Sequence, residues 1–141
     1  MFKTIVVGTD GSSTADIAVA RGAELARLTG AKLHIVSAYT PAAARVVGEK
    51  ASGEYSIGPD FKVDAVLAGT ISNLRAEGIE ISSHAPKGDP ADAIVEVAVR
   101  EGADLIVLGS KGMQGARRVL GSIPNKVSHR APCDLLIVAT T

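Results

Sequence analysis

The chain of 141 residues has little cysteine and few aromatic residues, and each shortage narrows the class of protein. Cys133 is the only cysteine, which excludes an internal disulfide and a cysteine-based metal cage. Aromatic residues make up 3% of the sequence, so the apolar fraction of 46% consists mainly of Ala, Val, Ile and Leu. That composition is expected of a parallel sheet covered by helices on both faces.

An excess of charge and a long hydrophobic run are also missing. Lys and Arg together number 15, as do Asp and Glu, so no net field attracts the chain to nucleic acid or to anionic lipid. No apolar stretch reaches the roughly 18 residues needed to span a bilayer. The first residues run directly into a strand without a signal-peptide pattern, so we expect a cytoplasmic protein with neither nucleic acid nor membrane as a partner.

Five short apolar runs predict strands at residues 4–8, 32–38, 79–83, 104–109 and 133–139. Segments with helical spacing separate these runs, and Asp89-Pro90 is typical of a helix start. The first helix is marked by Ile17, Ala20, Glu24, Leu25 and Leu28. Right-handed crossovers then predict a three-layer α/β sandwich around a parallel sheet, in a single domain over residues 1–141. Residues 40–60 form a long irregular stretch, which is typical of a functional lid or of disorder.

A glycine-rich motif follows the fourth predicted strand. Gly109-Ser110-Lys111-Gly112 leaves that strand directly, and Gly121-Ser122 comes after eight further residues. Such a turn lets backbone N–H groups converge on an anion, and a helix beginning at Ser122 would add the positive end of its dipole. The motif predicts a phosphate-binding loop, although glycines in this position also serve as plain turn formers.

A second motif follows the first predicted strand, where Gly8-Thr9-Asp10 ends the run. Ligands of doubly wound sheets bind at the carboxyl ends of the strands, where the strand order reverses. If the first strand lies beside the fourth, Asp10 faces sugar hydroxyls and the Gly109 loop faces phosphates. The alternative for Asp10 is a turn or capping residue, and Ser122 has the same alternative as an N-cap. Arg117 and Arg118 are either phosphate ligands or part of a solvated face.

The sequence supports a metal site or a catalytic nucleophile less than it supports phosphate binding. His34, His84 and His129 are scattered without the spacing of metal ligands, so we expect no metal site. The Gly-x-Ser-x-Gly pattern of a serine nucleophile is also missing. We therefore predict no catalytic residues.

Taken together, these motifs resemble the nucleotide-binding branch of the universal stress protein family. The resemblance rests on Ile5-Val6-Val7-Gly8-Thr9-Asp10-Gly11-Ser12, Gly88-Asp89-Pro90-Ala91, the glycine motif, and the ending from Val127 to Val138. It implies a five-stranded parallel sheet of order 3-2-1-4-5, of the adenine nucleotide alpha hydrolase-like or Rossmann-like type. It also implies an adenine nucleotide as ligand, with ATP as the first expectation, an optional Mg²⁺ ion, and at most slow hydrolysis.

The resemblance assigns roles to individual residues as well. Asp10 would contact the ribose side of the nucleotide, the backbone near Ala38 would read the adenine edge, and Ile123 would add a backbone N–H to the phosphates. The implied nucleotide-binding residues are Gly8, Thr9, Asp10, Ala38, Gly109, Lys111, Gly112, Gly115, Gly121, Ser122 and Ile123. The last run, Asp134 to Thr141, would be an edge strand through which two copies form a homodimer.

The sequence departs from the family pattern at one place. Eight residues separate Gly112 from Gly121, whereas the family has nine. The shorter loop leaves the number of phosphates open, so cyclic AMP is an alternative to ATP. A dimeric interaction module that uses no nucleotide is the other alternative, and the branch of the family that works this way lacks the glycine motif.

Overall fold

A five-stranded sheet of order β3-β2-β1-β4-β5 forms the centre of the protein. The structure, a computed structural model, describes residues 1–9, 13–37, 68–69, 71–110 and 122–140. The strands are β1 (Thr4–Gly8), β2 (Lys32–Val36), β3 (Ile81–His84), β4 (Leu105–Gly109) and β5 (Asp134–Val138). Neighbouring strands are parallel throughout, which confirms the predicted topology.

Helices cover both faces of this sheet. They are α1 (Ser13–Thr29), α2 (residues 71–76), α3 (Pro90–Glu101) and α4 (Ser122–Arg130). α1 and α2 pack on one face with Ile5 and Val7, while α3 and α4 pack on the other face with Val6 and Ile106. The predicted three-layer sandwich is therefore confirmed. Within the described part of the chain, no helix has the length and apolar character to cross a bilayer. The irregular stretch predicted at residues 40–60 lies outside the described residues.

The central strand β1 has no exposed core residue. Ile5, Val6 and Val7 are each 0% exposed, because helices cover both of their faces and strands pair with both of their edges. The start of β1 is fixed to the start of β4 by Asp104, whose carboxylate accepts hydrogen bonds from the backbone N–H groups of Lys3 at 2.9 Å and Thr4 at 3.1 Å. These bonds place the two strands that flank the predicted ligand crevice side by side.

The first helix is confirmed, but of the residues that predicted it only Leu25, which is partly buried, packs against the core on this face. Ile17 is 42% exposed and Leu28 is 75% exposed. The buried face of α1 consists instead of Ala18, Val19, Gly22, Ala23 and Ala26. Small residues on this face let the helix axis lie close to the sheet, because a larger side chain would hold the two layers apart. The large apolar residues of α1 therefore indicate the helix but not the face that packs on the sheet.

Replacing Gly22 with alanine should destabilise the protein, although alanine is the better helix former. A Cβ at position 22 would collide with Cγ2 of buried Val7 and lie 3.6 Å from Cδ1 of Leu33. Overpacking costs about 1–3 kcal/mol, more than the gain of about 0.5–1 kcal/mol in helix propensity. Gly69→Ala is the matched control, because no atom of the described residues lies within 4 Å of an added Cβ in that helical segment. Urea unfolding should show a loss of stability for Gly22→Ala and a gain for Gly69→Ala; equal effects would contradict the close-packing explanation.

The start of α3 is capped as the sequence indicates, and the structure shows a cap at its end as well. The Asp89 side chain accepts a hydrogen bond from the backbone N–H of Asp92 at 3.1 Å, and Pro90 occupies the first turn. At the other end, Gly102 adopts the left-handed conformation with φ 67° and closes the helix. The backbone N–H of Asp92, followed by Lys126 at 3.3 Å, lowers the pKa of Asp89 from its ordinary value. These contacts indicate that the Gly88-Asp89-Pro90 turn has a structural role, which is to begin α3.

Replacing Asp89 with alanine should lower the free energy of unfolding by about 0.5–2 kcal/mol, the usual range for loss of an N-cap. Asp89→Asn is the control, because asparagine caps a helix about as well but carries no charge toward Lys126. The folded protein holds the Asp89 pKa low, so the carboxylate stabilises the fold above its unfolded pKa. That contribution disappears as pH falls through the folded pKa. Chemical denaturation across this acidic range should therefore show the free energies of unfolding of wild type and Asp89→Ala converging as the pH falls. A difference between the two free energies that stays constant with pH would contradict the assignment.

Candidate functional site

The carboxyl ends of β1 and β4 form the point where the sheet changes direction. The register Val7↔Val107 makes both strands leave the sheet at the same edge. α1 follows β1 on one face, whereas α3 precedes β4 on the opposite face. Connections that depart to opposite faces leave a crevice between the two strand ends, which is where ligands bind in open α/β sheets.

Gly8 stands at the β1 side of this crevice, and the structure gives it a packing role. A Cβ at position 8 would lie 2.6 Å from Cδ1 of Ile94 and 2.8 Å from Cδ2 of Leu108. Glycine therefore allows α3 to approach the end of β1 closely. The backbone N–H of the next residue, Thr9, donates to the carbonyl oxygen of Val36 at 2.9 Å. This bond continues the β1–β2 pairing one residue beyond the strand and fixes the position from which the chain continues to Asp10.

The β4 side is fixed by Ser110, whose role in the glycine motif the sequence did not indicate. Ser110 is 2% exposed, and its backbone N–H donates to the carbonyl oxygen of Val138 at 2.9 Å. Its hydroxyl oxygen accepts a hydrogen bond from the backbone N–H of Thr140 at 3.1 Å. A Cβ at Gly109 would lie 3.1 Å from Cγ2 of Thr140, so this neighbour also limits position 109 to a small residue. The start of the glycine-rich loop is thus attached to the end of β5.

The helix that follows the loop begins at Ser122, as predicted. Ser122 is exposed, while Ile123 is half-buried and packs against the apolar cluster of this face, and Pro124 is buried. The first turn of α4 therefore has an exposed polar side and an anchored apolar side. Ion pairs of Lys126 with Asp89 and of Arg130 with Asp92 hold α4 against the start of α3. The open N–H groups of a helix start are suited to an anion.

The described part of the site therefore contains Gly8, Thr9, Gly109, Ser122 and Ile123. The other predicted nucleotide-binding residues lie outside the described residues; they are Asp10, Ala38, Lys111, Gly112, Gly115 and Gly121. Arg117 and Arg118 also lie outside them.

Two of the three histidines, which are scattered in the sequence, lie together in the structure. His34 on β2 and His84 at the end of β3 are joined by a hydrogen bond of 2.9 Å between Nδ1 of His34 and Nε2 of His84. Glu101 at the end of α3 completes the group, with its Oε1 3.8 Å from Nε2 of His34. The His34 side chain is 3% exposed. Burial lowers the pKa of His34 and also that of His84, so both imidazoles are neutral near pH 7.

Fold and crevice together define the class: a doubly wound parallel α/β protein whose strand order reverses between β1 and β4. The particular family follows from comparison with known sequences, because the model of the universal stress protein family matches residues 1–139. The chain belongs to the universal stress protein family. The resemblance inferred from the sequence motifs is thereby confirmed.

Three relatives illustrate the similarity. A universal stress protein of Mycobacterium tuberculosis is 39% identical over 146 residues, which cover 99% of this chain and 98% of the relative. A universal stress protein whose crystal structure was solved in complex with cAMP is 36% identical in sequence to this chain. The two structures superpose with a TM-score of 0.77, and the match covers 99% of each chain. A universal stress protein of Archaeoglobus fulgidus in complex with dAMP is 25% identical with a TM-score of 0.70, over 96% of this chain and 97% of that one.

Proposed function

We propose that this protein binds an adenine nucleotide in the crevice at the carboxyl ends of β1 and β4. The observation that carries the proposal is the juxtaposition at this edge of Gly8-Thr9, which leads into Asp10, with Gly109, which begins the glycine-rich loop. The backbone N–H of Thr9 and that of Ser110 are engaged by the neighbouring strands. Phosphate binding is therefore assigned to the rest of the glycine motif and to the start of α4 at Ser122.

The nucleotide is expected to act as a signal. In this proposal it changes the conformation or partner choice of a stress-response protein, and hydrolysis is slow where it occurs. No catalytic residue is assigned, because the predicted site supplies binding groups and no general base.

Two nucleotides compete as the ligand. ATP, with Mg²⁺ as an optional companion, is what the glycine motif implies through the family resemblance. Cyclic AMP is supported by two other observations. Two relatives of similar fold have solved structures in complex with cAMP and with dAMP. In addition, eight residues rather than nine lie between Gly112 and Gly121. Both of those ligands carry a single phosphate, and a shortened loop encloses a single phosphate more readily than three. We therefore favour a single-phosphate adenine nucleotide and keep ATP as the second candidate.

Calorimetric titration with ATP, AMP and cyclic AMP tests the proposal. Wild type should bind at least one of them in the micromolar range, with the single-phosphate ligands tighter than ATP. Ser122→Ala removes a hydroxyl at the exposed start of α4, and loss of a hydrogen bond to a charged phosphate, about 1.5–3 kcal/mol, should weaken binding about tenfold or more. Asp10→Ala and Gly112→Val should weaken it as well, through the ribose and the phosphate loop.

Ser128→Ala is the matched control for Ser122→Ala. Ser128 is an exposed serine of the same helix whose hydroxyl donates to the carbonyl oxygen of Asn125 at 2.7 Å, so its removal should leave nucleotide affinity unchanged. If wild type binds none of the three nucleotides, the chain is an interaction module without nucleotide. If Gly112→Val binds as tightly as wild type, the nucleotide occupies a different place.

We further propose that two copies associate through β5. This strand ends the sheet, and among the described strands its pairing partner is β4 alone. Leu135, Leu136 and Ile137 are each only half-buried, so a continuous apolar strand is left partly exposed. An edge strand of this kind is a template for pairing with another chain, and a second copy of β5 would cover it.

Sedimentation equilibrium tests the dimer. Wild type should have the mass of two chains, and Ile137→Lys should have the mass of one, because a charge on the half-buried edge strand opposes its burial in an interface. Ile17→Lys is the control: it makes the same substitution at a residue of α1 that is 42% exposed. Circular dichroism of both variants confirms that they fold. A dimer that survives Ile137→Lys, or a monomeric wild type, would rule out association through β5.

A further inference from the structure

The β2–β3 side of the sheet carries a group of side chains that the proposed nucleotide site does not use. His34, His84 and Glu101 each offer one ligand atom, and these atoms all lie within 4.8 Å of one another. We propose that these three residues bind a divalent metal ion of the Zn²⁺ type, with one ring nitrogen from each histidine and one carboxylate oxygen as ligands.

The fold brings these residues together from distant parts of the sequence. β2 and β3 are parallel with His34 opposite Ser82 and Val36 opposite His84, so the two histidines project from the same face of adjacent strands. Glu101 is the last residue of α3, the helix that covers this face. Two strands and a helix end therefore hold the ligands, and rigid elements of this kind give a more defined geometry than loops do.

The observed spacing is close to that of a zinc site. Zn–N bonds of about 2.0–2.1 Å at tetrahedral angles separate two ligand nitrogens by roughly 3.3–3.4 Å. Nδ1 of His34 and Nε2 of His84 are 2.9 Å apart in a direct hydrogen bond, so the rings must separate by a few tenths of an ångström and turn until both lone pairs point at one ion. Two imidazoles and a carboxylate are ligands that Zn²⁺ accepts, and three protein ligands leave a fourth position for water.

The charge state of the group also suits a cation. Metal binding requires neutral imidazoles, and burial holds the pKa of both histidines below the ordinary value. Glu101 lies at the carboxyl end of α3, where the helix dipole is negative and a carboxylate is unfavourable by itself. A bound cation would compensate both the carboxylate and the dipole.

The Arg100 side chain contacts two of the three proposed ligands. Its Nη2 lies 3.4 Å from Nδ1 of His84 and its Nε lies 3.4 Å from Oε2 of Glu101. Because a guanidinium can only donate, Nδ1 of His84 carries the lone pair and Nε2 of His84 carries the proton that is donated to His34. A metal on Nε2 of His84 moves that proton to Nδ1, where it can no longer accept a hydrogen bond from Arg100. The Arg100 side chain is 53% exposed, so it can turn into solvent when the ion binds.

Titration of the chelator-treated, nucleotide-free protein with Zn²⁺ tests the proposal, with Co²⁺ as a spectroscopic substitute. Wild type should bind one ion per chain. His84→Ala and Glu101→Gln should each weaken Zn²⁺ binding by at least about tenfold, since even outer-shell changes at metal sites cost 10–100-fold. Arg100→Gln should strengthen binding, because it removes a positive charge that competes for the same groups. Glu101→Gln, at a partly buried helix end, provides a ligand deletion that spares the strands.

His129→Ala is the matched control, since it removes an exposed histidine from α4 and should leave Zn²⁺ affinity unchanged. The Co²⁺ absorption should be lost in His84→Ala and retained in His129→Ala. The proposal is overturned if wild type fails to bind one Zn²⁺ ion, if both ligand variants bind as tightly as wild type, or if His129→Ala abolishes binding. None of these outcomes depends on nucleotide affinity, so this proposal and the proposed function can fail separately.

Discussion

The burial of β1 on both faces and both edges is the constraint on which the rest of this structure depends. Ile5, Val6 and Val7 are fully buried because β1 lies at the centre of the order β3-β2-β1-β4-β5. A first strand at the centre requires the chain to build outward in one direction through β2 and β3 and then to return to the other side with β4. Right-handed crossovers place the two sets of helices on opposite faces. The crevice between β1 and β4 is thus a consequence of burying the first strand.

Close approach of helices to that strand determines where glycine is needed. Gly22 of α1 lies against Val7, which lets α1 approach one face of the sheet closely. Gly8 of β1 lies against Ile94 and Leu108, which lets α3 approach the other face closely. This gives Gly8 a physical role that does not depend on a ligand. At the opposite strand, Ser110 binds the end of β5 by its backbone and its hydroxyl. The predicted binding loops therefore leave from strand ends that packing and hydrogen bonds have already fixed.

The sequence predicted the strands well because parallel strands buried on both faces are continuous apolar runs. All five lie within two residues of their expected ends, and the start of α3 follows from Asp89 and Pro90. The packed face of α1 could not be predicted in the same way, since it consists of small residues chosen for layer distance. The pairing of His34 with His84 depends on the β2–β3 register across 50 residues, which no local pattern contains. Of the candidate site, the sequence predicted the strand ends and the start of α4, but not the hydrogen bonds that fix them.

α3 connects the two regions to which we assign binding. Its first turn is bonded to α4 through Asp89 with Lys126 and through Asp92 with Arg130, and α4 begins at Ser122 beside the glycine-rich loop. Its middle packs Ile94 into the space left by Gly8, and its last residue, Glu101, lies beside His34. A helix of twelve residues capped at both ends moves as one body. If an ion binds at Glu101, the movement that it requires can be confined to the Glu101 side chain. Otherwise all of α3 must shift, and that shift would disturb the contact of Ile94 with Gly8 at the end of β1. Because the Arg100 side chain is half exposed and the Glu101 side chain is partly exposed, the side-chain route is the less costly one.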